Sequence, residues 1–170
     1  AQLNQAKKTL RELRRIAPRH AQVLKLQKEV YERTSDWEGL NQLLPELRKR
    51  KAVSEDELQS LELRIFSRLL EQASLDEDSG RLAVAWKGLS ANARANETLI
   101  TLYANLLQER GDQEQVEALL RGALSRRWSD SLVELYSRVT AKDCARQLST
   151  AETWLQDHPR NPALLLTLGR

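Results

Sequence analysis

Residues 97–128 read ETLITLYANLLQERGDQEQVEALLRGALSRRW, and this stretch decides the fold. Ile100, Tyr103, Ala104 and Leu107 recur at the spacing of one helical face. Gly111-Asp112 interrupts the period, and Val116, Leu120 and Ala123 resume it. The same phrase stands earlier: Leu24, Val30 and Tyr31, then Ser35-Asp36-Trp37, then Leu40, Leu44 and Leu47. After Asp36 and Asp112 the apolar positions match residue for residue. A two-helix unit cannot bury its own apolar stripe, so a chain that repeats one stacks its hairpins. Such stacks are scaffolds, which bind more often than they catalyse.

The whole chain divides into hairpins of this kind. Residues 1–18 carry Leu3, Ala6, Leu10, Leu13 and Ala17 on one face and stop at Pro18, as the second half of a partial repeat would. A repeat at 21–52 follows, with helices over 21–34 and 37–50 and with Val23, Leu24, Leu26, Val30 and Tyr31 inward. Its Pro45 predicts a kink, or a helix that restarts near Leu44. A longer, divergent repeat spans 54–95. It opens with the capping box Ser54-Glu55-Asp56-Glu57, runs as one helix to about Ser74, passes the loop Asp76 to Gly80, and continues as a helix over 81–92. Repeats at 97–128 and 130–159 come next, the latter with a helix over 144–157 built on Leu148, Ala151, Trp154 and Leu155. Residues 161–170 start a further repeat. The expected architecture is therefore all-α: a single solenoid, or α-α superhelix, over 1–170, with about four hairpins flanked by partial ones.

Composition agrees. The chain is 30% charged and 41% hydrophobic with only 6 Gly and 4 Pro, which suits packed helices and excludes a disordered polymer. Basic residues number 27 and acidic 24, interspersed along the helices, so a nucleic-acid partner is not expected. The clusters Arg11, Arg14 and Arg15, Lys49-Arg50-Lys51 and Arg126-Arg127 read as solvated helix ends, with anionic lipid headgroups a weaker option. A single cysteine, Cys144, excludes an internal disulfide framework. No apolar run reaches the roughly 18 residues of a membrane span. The chain contains no Met and closes on what reads as the first turns of a helix, so it is expected to be part of a longer protein.

The hairpin pattern resembles the tetratricopeptide repeat, a helix-turn-helix unit of about 34 residues. Ala104 stands where that repeat places a small residue against the partner helix, Gly111-Asp112 makes the turn, and Pro18 and Pro159 close units. A narrower resemblance rests on Thr150 through Pro159 and on Asn161 through Arg170. Ala17 through His20, Trp37, Leu44-Pro45, Trp86-Lys87, and Ala123 through Trp128 to Leu132-Val133 add to it. In these residues the chain is similar to the HemY family of bacterial inner-membrane proteins linked to protohaem IX biogenesis. The resemblance implies an N-terminal membrane anchor outside this sequence and a tetratricopeptide region on the cytoplasmic side. It also implies a supporting role in late haem synthesis beside enzymes such as ferrochelatase or protoporphyrinogen oxidase. The name HemY is shared with an unrelated flavin-dependent oxidase, but this chain has no dinucleotide-binding glycine motif.

No pattern points to catalysis. There is no Ser/His/Asp or Cys/His constellation and no phosphate-binding glycine loop, so no catalytic residue and no metal site is expected. The two histidines, His20 and His158, each stand beside a hairpin-closing proline. They are the candidate ligands should haem or porphyrin bind, with an exposed helix-end imidazole as the plain alternative. The acidic loop 76–78 lacks the alternating spacing of a calcium loop. The four tryptophans are expected in inter-repeat packing. Partner contacts are expected on outward positions of first helices: Lys25, Glu29 and Arg33, and Thr101, Asn105 and Glu109. Asn105 suits a carboxylate clamp, but Thr101 and Glu109 stand where basic residues are required. Three functions remain: a non-catalytic scaffold for haem-pathway enzymes, a haem or porphyrin carrier or sensor, and a general peptide-binding module.

Overall fold

A computed structural model of the protein describes residue 12, residues 20–76 and residues 78–168. The partial repeat at 1–18, apart from Glu12, lies outside the described residues, as do Arg19, Glu77, Gly169 and Arg170. Among the described residues all ten elements are α-helices and no strand occurs, which is the all-α, hairpin-repeat class expected. The chain forms two compact units, residues 1–85 and 86–170.

In the first unit, α1 (Ala21–Thr34) and α2 (Trp37–Lys49) form the hairpin read from the sequence. Ser35 takes a left-handed conformation, so the Asp36 amide reaches back to the Tyr31 carbonyl at 3.0 Å. The Asp36 carboxylate then accepts from the Gly39 amide at 2.8 Å and starts α2. α3 (Glu55–Ser74) begins where Ser54 Oγ accepts from the Glu57 amide. Leu24, Leu40, Leu44, Leu47, Leu58, Leu61 and Ile65 form one core between the three helices. Across its surface Lys28 binds Glu57 and Arg64 binds Glu32, so α1 and α3 are also joined by ions. Burial alone would lower the Lys28 ammonium, but the bond to Glu57 and the charges of Glu32 and Glu57 outweigh it and leave Lys28 above its ordinary pKa.

Three expectations fail in this region. The restart near Leu44 does not occur, because α2 runs unbroken through Pro45. Pro45 is exposed, so the carbonyl it deprives of an amide lies toward the wet side, while Leu43, Leu44 and Leu47 hold the helix down on the core. Leu26 faces water and Gln27 is buried in its place, its amide donating to the Tyr31 hydroxyl at 3.2 Å. The helix expected over 81–92 is two: α4 (Ser79–Gly88) ends, Ser90 accepts from the Ala93 amide, and α5 (Ala91–Arg94) begins.

The second unit is built on α6 (Glu97–Glu109), α7 (Gln113–Arg126), α8 (Asp130–Ser137), α9 (Cys144–Asp157) and α10 (Pro162–Leu168). Gly111 is left-handed and the Asp112 amide reaches the Leu107 carbonyl at 3.0 Å, the same turn as at Ser35-Asp36. The repeat seen in the letters is therefore a repeat of backbone geometry. Tyr103, Ala104 and Leu107 of α6 pack with Val116, Leu120 and Ala123 of α7, and Trp86 stacks on Tyr103 with ring centroids 4.4 Å apart. α8 packs against both α6 and α7, and α10 against both α8 and α9. On α9, Ala151 is buried as expected, but Leu148 is exposed. Gln147 takes the inward place, donating to the Val139 carbonyl at 2.8 Å and accepting from the Ala141 amide at 3.4 Å.

Candidate functional site

The second unit carries an open cleft of about 890 Å³, a volume within the roughly 300–1,000 Å³ usual for binding sites. One wall is the outer face of α8, with Asp130, Glu134 and Arg138. The other is the turn after α9 and the start of α10, with His158, Arg160, Pro162 and Leu166. Sequence fixes each wall locally. Ser129 accepts from the Leu132 amide and starts α8. His158 closes α9, its amide bonded to the Trp154 carbonyl at 2.9 Å. Asn161 Oδ1 accepts from the amides of Ala163 and Leu164, and Pro162 occupies the first helical position, where its missing N–H costs nothing.

A single carboxylate ties the walls together. Asp130 Oδ1 accepts from the Trp128 indole and from the Asn161 side chain, both at 3.0 Å. The His158 ring stacks on Trp128 with centroids 3.6 Å apart and planes 9° from parallel. Trp154 meets Trp128 and Tyr136 edge-on, at 6.0 and 5.0 Å. The rings of His158, Trp128, Trp154 and Tyr136 form one aromatic cluster, of which His158 alone lines the cleft.

Below Tyr136 lies the unit's buried charge. Glu117 of α7 is 0% exposed. Its Oε1 accepts from the Tyr136 hydroxyl and from Arg121 Nε, each at 3.0 Å, and Arg146 of α9 approaches Oε2 at 3.4 Å. Arg146 also binds Glu114 at 3.2 Å, and Glu114 in turn accepts from the Lys142 amide. A buried carboxylate without such partners is strongly destabilising, so the network is a condition of the packing. Burial first, and then the Glu117 charge, push the Tyr136 phenol well above its ordinary pKa.

Of the candidate ligand and partner-contact residues named from sequence, only His158 lies in this cleft. His20 is exposed at the start of α1, where its Nδ1 accepts from the Gln22 amide at 3.3 Å. The two histidines belong to different units. Lys25, Glu29 and Arg33 are exposed along one face of α1, while on α6 Asn105 and Glu109 are exposed and Thr101 is half-buried. Cys144 is free and exposed, its thiol directed at the Ala141 carbonyl. Among the described residues no group of His, Cys, Asp and Glu is placed to hold a metal ion. None of the described helices is long and apolar enough to cross a membrane. Glu134, Arg138 and Arg160 escaped the sequence reading, and Leu166 was read only as part of the helix that starts a further repeat. The one signal for them was the pair of prolines, Pro159 and Pro162, bracketing an arginine and a capping asparagine.

Fold and site together define an all-α protein of repeated helical hairpins with an open cleft between α8, the turn after α9 and α10. Protein HemY of Escherichia coli K12 is 26% identical to the chain over 155 residues, which cover 91% of this chain and 39% of that relative. Protein HemY of E. coli O6:H1 and that of Shigella flexneri match to the same extent. The likeness supports assignment of the chain to the HemY family. The chain spans about two fifths of the length of these curated relatives. No protein-family profile matches it, and no solved structure is detectably similar.

Proposed function

We propose that this chain is a non-catalytic scaffold region of a HemY-like inner-membrane protein, supporting a late step of protohaem IX synthesis by holding pathway enzymes together. The observation that carries the reading is the cleft between α8 and α10, whose walls are pinned to each other through Asp130. A site fixed before its partner arrives loses less freedom on binding, which favours recognition. Its lining joins apolar prolines and Leu166 to charged side chains, the mixture found at protein interfaces. The partners are enzymes of the class of ferrochelatase or protoporphyrinogen oxidase. Attachment to the membrane is supplied by an anchor elsewhere in the longer protein, with this region on the cytoplasmic side. Affinity capture with the whole protein, read by mass spectrometry, should recover at least one haem-synthesis enzyme; recovery of none overturns the proposal.

One observation favours a second reading, a haem or porphyrin carrier or sensor. His158 is half-buried, stands in a cleft of sufficient size, and is stacked on the Trp128 ring. Haem titration of the whole chain decides it. A Soret shift that disappears in His158→Ala and persists in His20→Ala supports this reading, and the absence of any shift removes it.

A further inference from the structure

We infer that the α8/α10 cleft receives an acidic, leucine-bearing segment of a partner protein, an inference that rests on the scaffold role. One charge of the cleft lacks a partner among the described residues. The carboxylates of the cleft already have donors: Asp130 is bound by Trp128 and Asn161, and Glu134 by Arg138. Arg160, exposed in the turn between α9 and α10, has no carboxylate partner among the described residues. Its guanidinium is a planar fork suited to a carboxylate, and the turn that carries it is held by the Asn161 cap and the stacked His158. Beside it stands an apolar wall of Pro159, Pro162 and Leu166, with Leu166 60% exposed. A ligand that meets both features presents a carboxylate to Arg160 and a leucine or similar side chain to Leu166.

Other polyanions fit less well. A nucleic-acid phosphate or a lipid headgroup would be drawn to Arg160, but it would leave Leu166 in water. A basic segment would face Arg160 and Arg138 directly.

The test uses the whole chain and two short fluorescein-labelled peptides. One alternates leucine pairs with glutamate pairs, and the other has lysine for every glutamate. Fluorescence anisotropy gives the affinities, and nuclear magnetic resonance follows the Leu166 methyls and the Trp128 indole. The glutamate peptide should bind and move both signals, with the lysine peptide about tenfold weaker or more. Arg160→Glu should weaken the glutamate peptide by a similar factor, and Leu166→Ser should weaken both peptides. Both positions are exposed, so thermal midpoints should stay unchanged and any loss is one of binding. Equal affinity for the two peptides overturns the inference, as does indifference to Arg160→Glu. It is also overturned if a longer version of the chain, continuing past residue 170, no longer binds because its own residues fill the cleft, or if the cleft is occupied by a second copy in solution. Failure here and failure of the scaffold role are separable. Enzyme capture that survives Arg160→Glu keeps the scaffold and sinks this site. Peptide binding without any captured haem-synthesis enzyme keeps the site and sinks that role.

Discussion

The Tyr136 hydroxyl donates to the Glu117 carboxylate at 3.0 Å, in a place that water does not reach, and so joins the first helix of one hairpin to the second helix of the one before it. Arg121 and Arg146 complete the shell of Glu117 from α7 and α9. Three helices that support the cleft thus depend on one carboxylate. Tyr136→Phe removes one donor and leaves the ion pairs, which should cost about 1–2 kcal/mol. Glu117→Leu removes the acceptor of three donors at once and should cost more, although two of them are arginines half in water. Thermal unfolding in both variants checks the order; a Tyr136→Phe midpoint equal to that of the unaltered protein shows that the bond contributes nothing.

The same pair sets a pH dependence. The Tyr136 phenol is raised in the folded chain, by burial first and by Glu117 second, whereas an unfolded tyrosine titrates near about 10. Above that pH the unfolded chain releases a proton that the folded chain retains. The stabilisation is therefore fully present below about pH 10 and is lost as pH rises through the folded value. Tyr103 is raised in the same direction, by burial and then by Asp112, and Lys28 contributes with the same sign. Urea midpoints should fall between pH 9 and pH 11, and fall less in Tyr136→Phe. An identical fall in both proteins removes Tyr136 as a cause.

Pro45 offers a gain. It lies inside α2 and is exposed, so Pro45→Ala restores an amide to the helix without disturbing the core. Alanine is favoured over proline in a helix interior by about 3 kcal/mol, and part of that should appear as a higher unfolding temperature. A lower temperature would mean that α2 requires the shape proline imposes.

Gln147 is the inverse case, a buried amide that serves the backbone of the α8–α9 connection. Gln147→Leu fits the volume but leaves the Val139 carbonyl and Ala141 amide without partners, at about 1–3 kcal/mol. Hydrogen exchange at Ala141 should accelerate with it. Unchanged protection there would show that another group satisfies the turn.

These sites also mark where the sequence was legible. Helix starts were readable wherever a capping side chain sits in an open turn, as at Ser54, and the repeat could be read because Ser35-Asp36 and Gly111-Asp112 make the same left-handed turn. Ser90 was missed because Leu82, Trp86 and Leu89 keep a helical period right up to the break. Leu26 and Gln27 exchanged places because a period identifies a face to within about one position. A glutamine that finds a tyrosine hydroxyl can fill the inner place. Of the cleft, only His158 and the flanking prolines were legible. Asp130 and Asn161 are 31 residues apart, and nothing local announces that they meet. His158 stood out as one of only two histidines, a chemical signal, while its neighbours Arg160 and Leu166 resemble any surface arginine or leucine.

A scaffold that holds its partner in this cleft brings that partner within reach of Leu166. A photo-crosslinking residue in place of Leu166, in the whole protein in living cells, tests it most directly, with the exposed Val84 position as control. The account predicts a discrete adduct with a haem-synthesis enzyme at position 166, absent at 84 and lost when Arg160→Glu is added. No adduct at 166, or the same adducts at both positions, would contradict it.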